Sequence, residues 1–173
     1  MKDNRGFTLI ELIIVMVIMG VVVIGSIAGY NMLGSQDITS TVKRINAELD
    51  YVQVQSMTKN KKYYLVIEKK FSDGNYYLSV QTENGALREI QSEEKLDLKD
   101  GQITFINKGT TDAILVNSTS PTDSIKLEVC YKKESGGFMI NSFGQIISNI
   151  GVSASARAYS IRLVEITGKH YIE

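Results

Sequence analysis

One stretch constrains this chain more than any other. After the leader Met1-Lys2-Asp3-Asn4-Arg5-Gly6 an apolar run begins at Phe7 and continues to Ala28, and in those 22 residues Glu11 is the only charge. As a helix rising ~1.5 Å per residue the run spans ~33 Å, enough to cross a bilayer core of ~30 Å. Lys2 and Arg5 precede it, so the positive-inside rule places the leader in the cytoplasm and the remaining chain outside. Gly25 and Gly29 form a small-xxx-small pair, which allows close helix packing but also occurs in membrane helices without a specific contact.

Glu11 is the costly residue. A carboxylate at the centre of a membrane helix costs ~2.5–3.5 kcal/mol, and less near an interface. Its presence has three readings: it reaches to the headgroups, it favours the positive end of the helix dipole, or it meets a cation once neighbouring helices exclude water. Cleavage after Gly6 would supply that cation. The new α-amino group of Phe7 lies one helical turn from Glu11, in the same chain or across to a neighbour.

Arg5-Gly6 followed by Phe7-Thr8-Leu9-Ile10-Glu11-Leu12 resembles the class III signal of type IV pilins and pseudopilins, a likeness that covers about the first thirty residues. The resemblance implies cleavage after Gly6 by a prepilin peptidase that also N-methylates Phe7. It implies that Glu11 neutralises the Phe7 amine of an adjacent subunit, and that the apolar helices form the core of a filament. The implied partners are other pilin or pseudopilin subunits, the peptidase/N-methyltransferase, an assembly ATPase with its platform protein, and membrane lipids before assembly. Ala28 stands where many members carry proline, which leaves open whether the helix bends there or at Gly25 and Gly29.

An ordinary secretory signal is the rival reading. Lys2 and Arg5, then an apolar stretch, then Ser26-Ile27-Ala28 satisfy its pattern, and cleavage after Ala28 would release a soluble domain. Such a signal gives no reason for Glu11 or for the Gly6-Phe7 junction.

Beyond Tyr30 the pattern changes. Ile38, Val42, Ile45, Leu49 and Val52 recur at alternating spacings of four and three, one apolar face of an amphipathic helix. The helix is expected to end near Asn60, giving ~50 residues and ~75 Å in all. Lys59, Lys61 and Lys62 cluster there beside Tyr63 and Tyr64, where cations suit the helix dipole. The same cluster, with Lys132 and Lys133, offers phosphate contacts to DNA, which makes a DNA-capturing competence pilin an alternative function.

From residue 63 short apolar segments alternate with turn signals such as Asp73-Gly74, Asn84-Gly85, Asp100-Gly101, Gly136-Gly137 and Thr167-Gly168. Strands are expected at 63–69, 76–82, 86–90, 102–106, 113–116, 125–131, 138–141, 145–148, 159–166 and 169–172. Residues 92–100, 107–112 and 117–124 read as polar loops, the last two as candidates for recognition or glycosylation. No βαβ spacing occurs. The expected fold is therefore α+β and pilin-like: a long N-terminal helical spine, half membrane and half amphipathic, packed on an antiparallel β-sheet domain. Its parts are the leader 1–6, a membrane and filament-core helix 7–30, an amphipathic helix 31–60 and the β domain 61–173. The order Leu96-Asp97-Leu98-Lys99-Asp100-Gly101 before Ile103-Thr104-Phe105, and the spacing of Phe138, Phe143 and Gly144, resemble the H-type minor pseudopilins and related minor pilins. Lys99 replaces a proline frequent in the first pattern.

Composition supports a non-enzymatic reading. The 19 basic and 19 acidic residues balance, against a strongly electrostatic partner over the whole surface. Cys130 is the only cysteine, so no intramolecular disulfide can form, and it is expected as a small buried residue in a strand. One cysteine with the single histidine, His170, does not furnish a usual zinc site. No phosphate-binding loop, dinucleotide fingerprint or nucleophile elbow occurs, and no cofactor or metal is expected. The expected location is a single-pass inner-membrane precursor with its C-terminal domain outside, then a periplasmic or cell-surface filament.

Overall fold

The computed structural model describes residues 9–85, 87–98, 100–120, 122–154 and 157–173, and within 20–37 the helical backbone alone. Helix α1 (Leu9–Thr58) is followed by twelve strands: β1 (Tyr63–Lys69), β2 (Tyr76–Asn84), β3 (Leu87–Leu96), β4 (Gly101–Asn107), β5 (Ala113–Leu115), β6 (Asn117–Ser118), β7 (Ser124–Ile125), β8 (Leu127–Tyr131), β9 (Phe138–Met139), β10 (Ile147–Ala154), β11 (Arg157–Leu163) and β12 (His170–Ile172). The chain divides into two compact units, one ending at Gln36 and the other running Asp37–Glu173.

In the first unit the described apolar side chains of residues 9–19 are exposed by 50–78% and point to every side of the helix. A helix that is apolar all round is stable only where lipid or other helices cover it. Among the described residues no helix is long and apolar enough to cross a membrane.

The second unit is built on the stripe of spacing four and three. Ile38 and Val42 are nearly inaccessible, and Ile45, Leu49 and Val52 have no exposed surface. They share one buried cluster with residues from two five-stranded sheets. One sheet has the order β3-β2-β1-β8-β9, the other β12-β11-β10-β4-β5, and β6 and β7 form a separate ribbon. Every pairing is antiparallel. In the first sheet Leu65 faces Val80 and Val129, while Ile67 faces Leu78 and Leu127. In the second, Ile150 faces Phe105 and Ile161, and Val152 faces Ile103. Side chains alternate across a strand, so these residues fall on one face of each sheet and meet the helix stripe there. Tyr76 ties the sheets by polar contact as well: its hydroxyl donates to the Val116 carbonyl at 3.3 Å and accepts from the Ile103 amide at 3.4 Å.

Four expectations need correction. Residues 92–100 do not form a loop throughout, since β3 continues to Leu96 and stays paired with β2. It is an edge strand, exposed except at Leu96, so it shows no apolar alternation. Its charges are matched from neighbouring elements instead: Glu93 pairs with Lys70 at 2.7 Å and Glu94 with Arg44 at 2.5 Å. The polar stretch 117–124 closes into the β6–β7 ribbon, where Thr119 donates to the Asp123 carboxylate at 2.8 Å. The run 125–131 breaks at Lys126, which pairs with Glu68. The strand expected at 145–148 is the longer β10, in which Ile150, Val152 and Ala154 are buried at alternate positions around Gly151 and Ser153.

Truncation of the stripe tests its role. Leu49→Ala leaves a cavity in the shared core and is expected to cost about 2–5 kcal/mol. The urea midpoint should fall with little change in slope, as for a two-state domain that keeps its exposed surface on unfolding.

Candidate functional site

The N-terminal site enters through Glu11. It lies in the first turn of α1, on an exposed part of the helix, where a carboxylate suits the dipole. Gly25 and Gly29 fall within the backbone of α1. Gly6 and Phe7 lie outside the described residues.

A second group of residues converges where α1 ends. The helix stops at Thr58, with the Lys59 amide still donating to the Gln55 carbonyl at 2.9 Å, and Lys61 and Lys62 lie just beyond it. Strand β1 begins immediately afterwards and pairs antiparallel with β8 in the register Tyr64 to Cys130. That register sets the residues preceding β1 beside those following β8. Lys61 and Lys62 therefore meet Lys132 and Lys133 around one cleft of ≈ 460 Å³, which Ser56, Asn60, Glu83 and Glu134 also line. Lys62 pairs with Glu83 at 3.0 Å, and Lys133 donates to Asn60 Oδ1 at 3.0 Å. Lys59 is not part of the cleft wall. Tyr64 is buried and Tyr63 packs against the core, so neither ring is free to stack on a base.

The outer face of the first sheet carries an ion pair between a buried carboxylate and a partly exposed arginine. Arg88 reaches from β3 across Tyr64, with its guanidinium carbon 3.9 Å from the ring centroid, to Glu128 on β8. It grips both carboxylate oxygens, Nη1 to Oε2 at 2.5 Å and Nη2 to Oε1 at 3.2 Å. The Ser142 amide donates to Oε1 at 2.7 Å, and the Ser142 hydroxyl accepts from Arg88. Burial alone would raise the Glu128 pKa. The hydrogen bonds from Arg88 and Ser142 outweigh it and hold the carboxyl below its ordinary 4.5. Since the folded value lies below the unfolded one, this stability is present above about pH 4.5 and is lost as pH falls through the lower folded value.

Cys130 lies beneath the same face, 1% exposed, with its thiol directed at the Met139 and Ile140 carbonyls. Burial pushes its pKa up to about 12. That is the small buried residue expected from the sequence, in a setting that suppresses the thiolate. His170 on β12 is largely enclosed: Nε2 lies 3.2 Å from Asp50 Oδ1 of α1, and Nδ1 lies 3.3 Å from the Gly168 carbonyl. Among the described residues no group of three or more His, Cys, Asp or Glu could hold a metal ion.

Sequence reasoning named the lysines but not their meeting. It missed the Arg88–Glu128 and Asp50–His170 pairs, since charges in short polar stretches carry no signal for partners many residues away.

The amphipathic part of α1 packed on antiparallel sheets is a pilin-like architecture, and Glu11 lies in the exposed apolar start of the helix. A model of the prokaryotic N-terminal methylation motif matches residues 1–27. Fold and motif together support a structural, non-enzymatic role of the pilin or pseudopilin kind. No curated protein and no solved structure matches the chain.

Replacing Arg88 by Met leaves Glu128 buried without its cation and is expected to cost about 3 kcal/mol near neutral pH. The difference from wild type should shrink as Glu128 takes up a proton. Urea unfolding at about pH 7 and about pH 3 measures it. Native Cys130 should resist a thiol-reactive dye until denaturant exposes it, and rapid labelling of the folded chain would contradict the environment described for it.

Proposed function

We propose that this chain is a structural subunit, a minor pilin or pseudopilin, of a type IV pilus or a type II secretion-like filament. The match of the methylation motif to residues 1–27 carries the reading. The precursor sits in the cytoplasmic membrane through residues 7–30, with its C-terminal domain outside. A prepilin peptidase cuts after Gly6 and methylates Phe7. An assembly ATPase and its platform extract the subunit, and the apolar helices bury against those of other subunits, with Gly25 and Gly29 allowing close approach. The β domain coats the outside of the filament, in the periplasm or at the cell surface.

Physical reasons support each part. The exposed apolar residues of 9–19 need a cover, which lipid supplies before assembly and neighbouring helices supply after it. Glu11 among them is tolerated far better beside a cation than alone, and the freed Phe7 amine is the nearest one that processing creates. Cleavage after Ala28 instead would cut within α1, which runs without a break from Leu9 to Thr58. The loose likeness around residues 96–105 and 138–144 favours the H-type minor subunits.

The N-terminal mass of the mature protein from the native cell tests the reading. The expected product starts at Phe7 and is heavier by one methyl group. A product starting at Gly29 would overturn the filament reading and leave a released β domain. Glu11→Lys is expected to abolish incorporation into filaments while the β domain keeps its unfolding transition. Normal filaments from this variant would refute the pairing with the amine.

A further inference from the structure

The lysine-lined cleft is not used by the assembly chemistry, and its construction is that of an anion site. Four lysines surround it against two glutamates. Lys62 is matched by Glu83 and Lys133 bonds a neutral amide, whereas among the described residues no carboxylate lies within salt-bridge distance of Lys61 or Lys132. The carbonyl end of α1 is adjacent, so attraction for an anion comes from the lysines and not from the helix. Ser56 forms part of the wall. It is 3% exposed, and its hydroxyl is buried with no hydrogen-bond partner. An orphaned buried hydroxyl costs about 1–3 kcal/mol, and turning the Ser56 side chain toward the cleft would let it donate to a ligand oxygen there. The volume of ≈ 460 Å³ accommodates a phosphate ester with a small organic group.

We infer that this cleft binds a phosphate group, held by Lys61 and Lys132, with Ser56 donating from the wall. Lysine ammonium groups bind phosphate oxygens as point charges without demanding a fixed fork geometry, which suits two side chains from separate segments. Tyr131 in the wall is 3% exposed and offers no ring face for stacking, so the ligand is held through its phosphate group. The inference does not rest on filament assembly, and its failure would leave that reading untouched.

The test uses the full chain in neutral detergent micelles in a phosphate-free buffer. Isothermal titration with inorganic phosphate, glycerol 3-phosphate and a short oligothymidylate distinguishes the source of the phosphate. Saturable millimolar binding of the first two is expected. Lys61→Gln or Lys132→Gln should weaken it about tenfold, Ser56→Ala by about twofold, and Lys59→Gln, outside the cleft, hardly at all. Absence of saturable binding by the small phosphates, or equal loss in Lys59→Gln and Lys61→Gln, would overturn the site. Binding of oligothymidylate alone would also overturn it, showing diffuse attraction to a polyanion instead.

Discussion

The five-residue apolar stripe of α1 is the interaction on which the domain depends. Two sheets, each with one apolar face, would leave those faces wet if they had only their own strands. Ile38, Val42, Ile45, Leu49 and Val52 join them into a single buried cluster. Much of the stripe has no accessible surface, so transfer from water contributes close to its full value at about 1.5–3 kcal/mol per large side chain. The same helix changes character along its length. Before residue 20 its described surface is apolar on all sides, and after Asp37 it is two-faced. One element thus carries two surface patterns, and only the second is matched by packing within the domain.

Polar groups in the domain follow a consistent rule. Those that are buried are mostly held from several directions, as Glu128 is by Arg88 and Ser142. Such an arrangement is stable because leaving one partner alone costs more than the pair contributes. The Asn46 and Asn107 amide oxygens and the Ser56 and Tyr131 hydroxyls depart from the rule, each buried without a partner. Tyr131 is enclosed against Phe138, with ring centroids 4.7 Å apart, and its burial pushes the phenol pKa upward, so the hydroxyl stays neutral. Ser56 shares the wall of the lysine cleft with Tyr131, but its small side chain has no ring packing to hold its hydroxyl in place.

The helix stripe was legible because a period between three and four admits no other element, and β1 and β2 because an Asp-Gly turn separates two apolar runs. The far half of β3 was not legible. An edge strand buries almost nothing, and its glutamates are accounted for only by Lys70 and Arg44 from other elements. Nor did alternation disclose two sheets instead of one, since inward-facing residues look the same whichever sheet holds them. The lysine cleft was half legible: both pairs were visible as charge clusters, but their meeting follows from β1 lying next to β8, a neighbour relation that crosses six intervening strands of sequence. The N-terminal motif was the most legible part, because it is a run of adjacent residues whose pattern needs no fold to bring it together.

The last strand carries a consequence for how the chain comes to be folded. Gln53 of α1 donates to the Thr167 carbonyl at 3.2 Å across 114 residues, and also to Gly136 at 2.9 Å. Asp50 holds His170, and Ser160 and Glu173 exchange backbone bonds. At Gly168, φ is +65° and a Cβ would overlap the Gly136 carbonyl oxygen, so the joint is closely fitted. This closure cannot form until residues 136 and 160–173 reach the helix, however much of the sheet has formed. Contacts of such long sequence separation make this closure slow compared with the formation of the helix.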